Sequence, residues 1–466
     1  MVAFGDITSW KPGAGQVTTW TATAASRALV RQAPRDPLPP TPQQAQHLRN
    51  AQRCAALGLP MPRLLISAWN VAGVCDTVAM TAAINGHLRC QDTYHSSFEI
   101  HGDDIVRRTI SDPAAIEFDP RAEGFMGNEQ IYDHVLTSTP ATSAWDCFAF
   151  GVIQHTDHFT FYASVDHLHF DGMSIAGLFT DIHHGYHARV VGLPDPVLHD
   201  SDYRGHTSRQ HQRSTSLTLQ SPHVQTWIDF ANAGPWPSFP LPIGDTALVG
   251  PGIFITDDLL DAQETDAFAW ACRAAGARFS GGAMACAALA EHQFTGSDTY
   301  RGLTPADTRG DDAHSVGWFA SLFPLTVAIG NGEFSDVARA AQASFDANRP
   351  LTGSPFTRAC ELATGSGIDI RMPSSPPMMV SFMDLRDDVM TALLDGDGPG
   401  MFADPLSGGG VNVWINRYRT GTTVTLSLPD TAVAKHSARQ YICALRSAFV
   451  DAAHRVGSRT VTAEGR

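Results

Sequence analysis

The stretch from His158 to Ile175 constrains the fold of this chain more than any other. Its first half is rich in aromatic and β-branched residues, which predicts a strand. An Asp-Gly pair then ends the strand pattern at Gly172, and Ser174 is a candidate N-cap for the apolar helix that follows. A histidine at the end of a buried strand, followed by an aspartate in a turn, is held rigidly at the mouth of a cleft. A general base requires such a position, so His167 is the candidate base.

Strand and helix patterns alternate around this stretch. Thr41 and Pro42 predict the start of a helix that ends near residue 57, and Asp76 caps a second helix with Val78 on its apolar side. Residues 147–154 predict a strand that forms a hairpin with the central one. The alternation continues in the second half. We therefore expect an α/β fold of the α+β sandwich type, in which each half holds a mixed sheet covered by helices.

The chain has 466 residues, which is too long for one ordinary hydrophobic core. Polar and proline-rich segments at 192–222 and 233–245 indicate a crossover between two halves. The sequence therefore predicts an N-terminal subdomain at 1–191, a crossover at 192–249 and a C-terminal subdomain at 250–466.

Charge and hydropathy exclude several classes of protein. The formal net charge is −15 and no cluster of Lys and Arg occurs, which argues against nucleic-acid binding. No apolar run is long enough to span a bilayer, and the first fifteen residues lack the pattern of a signal peptide. We expect a cytoplasmic protein, and peripheral contact with the inner face of the plasma membrane stays open.

Two other chemistries have weak support. His169 together with His183 and His184 suggests zinc, but strand alternation would place His169 on the face opposite His167. We therefore expect no metal. A serine-hydrolase elbow would need a glycine two residues before the serine, which Ser280 lacks, so Ser280 is interpreted as a helix cap.

A family resemblance connects these observations. Residues 166–172 resemble the HHxxxDG motif of the chloramphenicol acetyltransferase-like superfamily, which includes condensation domains and the polyketide-associated (Pap) acyltransferases of mycobacteria. The segment that contains Gly317, Trp318 and Phe319 is similar to the second motif of that superfamily. Further stretches, which are typical of the Pap subgroup that acylates trehalose-based lipids, begin at Gln43, Gln91, Gly276 and Asp307.

The resemblance implies two acetyltransferase-like subdomains in a V with a central tunnel. In such a fold His167 is the catalytic base, which takes a proton from an acceptor hydroxyl as that oxygen attacks a thioester carbonyl. The acyl donor is already activated, so neither a nucleophilic side chain nor a cofactor is expected. Asp166 occupies the first histidine position of the motif, where this chain departs from the pattern, and its role stays open.

The resemblance also assigns supporting residues. Asp171 is expected to pair with Arg309 and shape the catalytic loop rather than react. Gly172 allows close backbone approach, and its N–H is a candidate donor to an oxyanion. Trp318 lines or supports the tunnel, with core packing as the equal alternative, and Gly317 and Phe319 flank it. Further candidate neighbours of the site are Asp166, Ser174, Asn412 and Asn416.

The implied function is transfer of a fatty or polyketide-derived acyl group to a hydroxyl of trehalose or a trehalose-based glycolipid. The donor is an acyl-CoA or an acyl group on a carrier protein or polyketide synthase, and a monomer is expected. Two alternatives remain. One is a wax-ester or diacylglycerol acyltransferase, and the other is a non-catalytic scaffold that binds a polyketide synthase.

Overall fold

The computed structural model describes residues 3–102, 104–194, 201–386 and 400–463. It divides into two compact units that interleave along the chain. The first unit comprises Met1–Thr215, Asp307–Ala320 and Asp388–Pro405, and the second comprises Ser216–Ala306, Ser321–Asp387 and Leu406–Arg466. This division differs from the predicted consecutive subdomains at 1–191 and 250–466, because two later segments pack with the N-terminal unit.

The strands, in chain order, are β1 (Ala3–Asp6), β2 (Gly15–Ala22), β3 (Arg35–Asp36), β4 (Leu64–Ala72), β5 (Ser96–His101), β6 (Asp104–Thr109), β7 (Phe118–Met126), β8 (Phe148–Gln154), β9 (His158–Asp166), β10 (Gly250–Asp261), β11 (Thr299–Asp307), β12 (Ala320–Ala328), β13 (Val380–Asp384), β14 (Gly400–Ala403), β15 (Leu406–Ser407), β16 (Asn412–Arg417) and β17 (Gly421–Pro429).

The α-helices are α1 (Ala24–Gln32), α2 (Pro42–Ala56), α3 (Thr77–Cys90), α4 (Asn128–Ser138), α5 (Ser174–Phe179), α6 (Gly185–Val190), α7 (Tyr203–Ser216), α8 (Pro222–Asn232), α9 (Ala262–Ala274), α10 (Phe279–Thr295), α11 (Phe334–Asn348), α12 (Phe356–Gly365) and α13 (Ala432–Ala463). In the part of the chain that the structure describes, no helix combines the length and the apolarity needed to cross a bilayer.

The first unit is built on a seven-stranded sheet with the order β1-β14-β4-β9-β8-β2-β7. Its pairs are antiparallel, except that β1 and β14 run parallel. Strand β9 is the middle strand, and all of its residues after His158 are buried. Leu64 of β4 lies opposite Asp166, so β4 begins where β9 ends. The predicted strand and its hairpin with β8 are therefore present, and they hold the motif at the edge of the core.

The second unit has a five-stranded sheet with the order β13-β16-β17-β10-β15. Its core includes the alanine-rich helix α10, together with residues of α9, α11 and α13. Strands β11 and β12 pair with each other. The connection between these two strands, residues 308–319, belongs to the first unit and carries Arg309 and the second motif.

Local signals located the starts of α2 and α3. Thr41 and Gln44 form a capping box at α2, and Asp76 accepts from the backbone of α3 at Val78 and Ala79, as predicted. Val78 itself is 79% exposed, so its assignment to the apolar side of α3 was wrong. The first turn of α3 buries Ala79 and Met80 instead.

The predicted crossover at 192–249 carries helices α7 and α8. Two predicted helix caps need correction. Ser280 is not the N-cap of α10, since Arg278 holds that position. Ser174 is not the N-cap of α5, since Met173 holds that position and Ser174 is the first helical residue. After α5 the helix widens into a π-turn at Thr180–His184 and continues as α6.

Candidate active site

His167 follows directly after β9. Its backbone N–H donates to the carbonyl of Arg63 at 2.7 Å, which ties it to the residue that precedes β4. Its imidazole stacks on the indole of Trp318, with ring centroids 3.8 Å apart and planes at 28°. The Nδ1 atom is buried and has no hydrogen-bond partner among the described residues, while the side chain as a whole is only half-buried. Stacking on Trp318 therefore fixes one face of the imidazole ring, while part of the side chain stays accessible.

The surroundings of His167 favour its neutral form. Burial lowers the pKa of His167 to about 4, and the neighbouring His47 adds to this effect. Hydrogen bonding and the carboxylates of Asp171 and Asp166 oppose it only in part. An imidazole with this pKa is unprotonated near neutral pH, which a general base needs.

Asp171 is an anchor for the turn after His167. Its buried carboxylate accepts from Arg309 Nη2, from the backbone N–H groups of Phe319 and Ala320 at 2.9 and 3.0 Å, and from Ser174. Burial alone would raise the pKa of Asp171, but Arg309 outweighs burial and holds that pKa below its usual value. All of these partners favour a carboxylate that stays ionised and in place.

Arg309 is buried with Asp171 and makes the expected ion pair. Its Nη1 donates to Asp307 at 3.0 Å and its Nε donates to the Ser315 carbonyl at 2.9 Å. The guanidinium carbon lies 4.4 Å from the centroid of the Phe319 ring. Arg309 therefore folds the segment 307–320 around Asp171, and its side chain is only 1% exposed.

The second motif packs against the same turn. Ser174 Oγ donates to the Gly317 carbonyl at 2.9 Å. A Cβ atom on Gly317 would lie 2.5 Å from the ring of Tyr203, so this position requires glycine for close packing. Gly172 lies in the turn before α5 without a positive φ. Trp318 is half-buried and contacts His167, which makes it the residue of this motif that touches the candidate base.

Asp166 is completely buried at the end of β9. Its Oδ1 lies 2.6 Å from Nε2 of His47 and accepts from the backbone of Leu168 at 3.0 Å. Its Oδ2 accepts from Thr142 at 2.6 Å and from Arg63 at 3.2 Å. Burial raises the pKa of Asp166, but its hydrogen bonds, led by that of His47, bring it down to about 2. The residue that departs from the motif is thus a fully partnered carboxylate.

His47 is the neighbour of the site that sequence reasoning missed. It lies on α2, with its ring centroid 6.2 Å from that of His167 and 5.5 Å from that of Trp318. His47 lies in the stretch that begins at Gln43, which by itself gives the histidine no role. A buried carboxylate at residue 166 needs hydrogen-bonding partners, but nothing local singles out a histidine 119 residues earlier.

The remaining candidates lie elsewhere. Strand β9 ends at Asp166, so the strand alternation used for His169 does not apply. His169 is buried with Nδ1 3.2 Å from Thr93 Oγ1 and packs against Tyr94 and Phe148. The described residues contain no cluster of three or more His, Cys, Asp and Glu placed to hold a metal ion.

Asn412 and Asn416 both lie on β16 in the second unit. Asn412 Oδ1 accepts from the backbone of Met379 at 3.3 Å. Asn416 is completely buried, and neither of its amide atoms has a partner among the described residues. Their contribution to the site stays a prediction.

Similar proteins carry names that refer to acyl transfer. No family model matches the chain. It is 41% identical to trehalose-2-sulfate acyltransferase PapA2 of Mycobacterium tuberculosis over 457 residues, which cover 97% of each protein. It is 39% identical to acyltransferase PapA3 of the same species over 458 residues, which cover 96% of each.

Solved structures show the same relationship. A structure of PapA2 acyl transferase superposes with a TM-score of 0.92 at 41% identity and covers 97% of this chain and 99% of its own. The first condensation domain of the calcium-dependent antibiotic synthetase superposes with a TM-score of 0.66 at 16% identity and covers 90% of this chain and 97% of its own. The latter similarity shows the fold alone, and both agree with the α/β fold class expected from the sequence.

Proposed function

Because this chain belongs to the PapA family of acyltransferases, we propose that it transfers a fatty or polyketide-derived acyl group from a thioester to a hydroxyl of trehalose or a trehalose-based glycolipid. The acyltransferase activity follows from the family. The trehalose-type acceptor is proposed by analogy with trehalose-2-sulfate acyltransferase PapA2, with which this chain shares 41% identity over nearly its whole length.

One observation carries the proposed mechanism. His167 is held neutral at the end of β9 with its Nδ1 buried, which leaves Nε2 to meet a substrate. In the proposed reaction Nε2 takes the proton of the acceptor hydroxyl while that oxygen bonds to the thioester carbonyl carbon. The carbon–sulfur bond then breaks and the sulfur leaves as a thiolate.

The low pKa of His167 favours the second step of the proposed reaction, in which the leaving thiolate takes up a proton. An imidazolium with a pKa of about 4 is a strong acid beside a thiolate, whose thiol has a pKa of about 8.5. It therefore returns its proton to the leaving sulfur and becomes neutral again. No acyl-enzyme is formed, because the donor is already activated and the acceptor attacks it directly. An acyl thioester is the only co-substrate that this reaction needs.

The donor and the protein's surroundings belong to the same proposal. An acyl-CoA and an acyl group on a carrier protein or polyketide synthase present the same thioester, so both are proposed as donors. The reaction requires one copy of the chain, and a monomer is proposed. We also propose a cytoplasmic location, where these thioesters are made, with peripheral contact at the inner face of the plasma membrane when the acceptor is a glycolipid.

The experiment is a transfer assay with the full chain, palmitoyl-CoA, and trehalose or trehalose-2-sulfate. Mass spectrometry detects the ester, and a thiol reagent follows release of CoA. We expect ester formation by the native chain, and we expect the His167→Ala variant to lose transfer while keeping the thermal midpoint of the native chain.

The same assay separates the alternatives. Undiminished turnover by the His167→Ala variant would contradict the proposed mechanism. Acylation of hexadecanol or a diacylglycerol in place of the sugar would instead indicate a wax-ester or diacylglycerol acyltransferase. A folded protein that transfers from neither CoA nor carrier-bound donors, yet binds the synthase, would be a scaffold.

A further inference from the structure

A second imidazole lies beside the candidate base. His47 is 6% exposed, and its Nε2 lies 2.6 Å from the Asp166 carboxylate. Its other nitrogen, Nδ1, makes no hydrogen bond with the described residues. An imidazole with one nitrogen fixed by a carboxylate and the other without a protein partner can bind a ligand through the second nitrogen.

The neighbouring turn of α2 shows the same feature. Gln43 lies four residues before His47 and so lies on the same face of the helix. Its Nε2 donates to the Ala320 carbonyl at 3.3 Å, but its Oε1 is buried without a partner among the described residues. A buried polar atom is normally paired in a folded protein. The unsatisfied Gln43 Oε1, on the helix face that carries His47, indicates that substrate supplies a partner there.

The geometry decides what His47 can reach. The centroids of His47 and His167 are 6.2 Å apart, and Trp318 contacts both rings. A hydrogen bond spans about 2.7–3.0 Å between heavy atoms, so a substrate group between the two rings is within reach of each. In the proposed reaction the thioester carbonyl lies next to the hydroxyl that His167 deprotonates. Its oxygen gains negative charge as the hydroxyl adds.

We propose that His47 is a second catalytic residue, whose Nδ1–H donates a hydrogen bond to the thioester carbonyl oxygen as negative charge develops there. Asp166 is the positioning residue that holds His47 in the required orientation and keeps its Nε2 as the donor to the carboxylate. Aspartate at the first position of the motif thereby acquires a function. The inference rests on the proposed function, because it needs acyl transfer at His167.

The charges around both rings agree with this role. His47 on α2 faces Asp166, which also pairs with Arg63 before β4. His167 faces His47, Asp166 and Asp171, while Trp318 adds no charge. His47 acts on His167 as a positive neighbour and lowers the pKa of His167. The same charge stabilises an oxyanion, as donors aimed at developing charge do.

The test uses two substitutions that retain different nitrogens. In His47→Gln the amide nitrogen replaces Nε2 and still donates to Asp166, but nothing replaces Nδ1. In His47→Asn the amide nitrogen replaces Nδ1 but cannot reach Asp166. For His47→Gln we expect a native thermal midpoint and a kcat lowered about 100-fold or more, with little change in KM, because one donor to an oxyanion contributes about that factor.

Two further readouts distinguish catalysis from support. The acid limb of kcat/KM moves to higher pH in His47→Gln, because His167 loses a positive neighbour and its pKa rises. His47→Asn has a lower thermal midpoint than the native chain, yet a higher kcat per folded molecule than His47→Gln. A purely structural His47 would give the reverse order of kcat.

These experiments distinguish a failure of this inference from a failure of the proposed function. Native transfer with an undiminished His47→Gln variant overturns this inference and leaves the proposed function standing. A native chain that transfers none of the donors to any acceptor overturns the proposed function, and this inference with it. Native transfer with loss in both His167→Ala and His47→Gln, and an unshifted thermal midpoint in the latter, supports both.

Discussion

At the scale of single residues, the two aspartates of the motif bind different partners. Asp166 at the end of β9 binds His47 and Arg63, while Asp171 in the following turn binds Arg309. Both are buried, and for both the bonds from partners outweigh the burial that would otherwise neutralise them. Each therefore fixes a segment of chain around His167, and neither needs to exchange a proton.

Asp171→Ala tests this supporting role. Removing one member of a buried pair leaves Arg309 uncompensated, so we expect the free energy of unfolding to fall by about 3–5 kcal/mol, with a parallel loss of transfer. Urea denaturation followed by circular dichroism measures the change. The control is Asp336→Ala, which breaks an exposed pair with Arg339 and should cost at most about 1 kcal/mol. Native stability combined with zero activity would instead assign Asp171 a chemical role.

At the scale of elements, three pieces of the first unit meet at His167. Strand β9 delivers the residue, helix α2 brings His47, and the β11–β12 connection brings Trp318. Gln44 links two of them, since it completes the cap of α2 and donates from Nε2 to the Leu168 carbonyl at 2.9 Å. The position of the candidate base thus depends in part on α2, whose start is set by a local capping signal.

Gly317→Ala tests how closely the β11–β12 connection packs. The added Cβ would lie 2.5 Å from the Tyr203 ring, so we expect a loss of about 1–3 kcal/mol from overpacking. Because Trp318 is the next residue, we also expect slower transfer. Thermal unfolding and the transfer assay measure the two effects.

The matched control is Gly365→Ala, at the exposed end of α12, where a Cβ meets no atom within 4 Å. We expect its thermal midpoint to stay the same or to rise slightly, because alanine suits a helix better than glycine. Equal stability of the two variants would show that the contact with Tyr203 is not tight.

At the scale of the whole molecule, the first unit is assembled from distant parts of the sequence. Strand β14, from Gly400 to Ala403, lies between β1 and β4 in the seven-stranded sheet. The segment 307–320 supplies Arg309 and the two backbone donors to Asp171. An N-terminal fragment would contain His167 but would lack a strand and the partners of a buried carboxylate.

We therefore expect the fragment 1–215 not to fold on its own. Its β1 and β4 would lose the strand that pairs with both, and Asp171 would be buried without Arg309. Urea titration monitored by near-ultraviolet circular dichroism should show no cooperative transition, in contrast to the full chain. A cooperative transition with a slope that matches the size of the fragment would contradict this expectation.

The sequence by itself determined the local part of this protein. It located β9, its hairpin, the starts of α2 and α3, and the position of His167 directly after β9, because capping, turn and periodicity signals act over a few residues. It also indicated the α/β class and, through a motif resemblance, the pairing of Asp171 with Arg309.

Only the tertiary structure decided what Asp166 does. Its partner His47 lies 119 residues away, and the sequence contains many polar side chains that could satisfy a buried carboxylate. The sequence alone could not divide the chain into its two units either. Strand β14 and residues 307–320 join the first unit through sheet pairing and buried ion pairs, which form between distant parts of the chain. A buried carboxylate needs a hydrogen-bonding partner, but the path of the chain in space determines which residue lies close enough to be that partner.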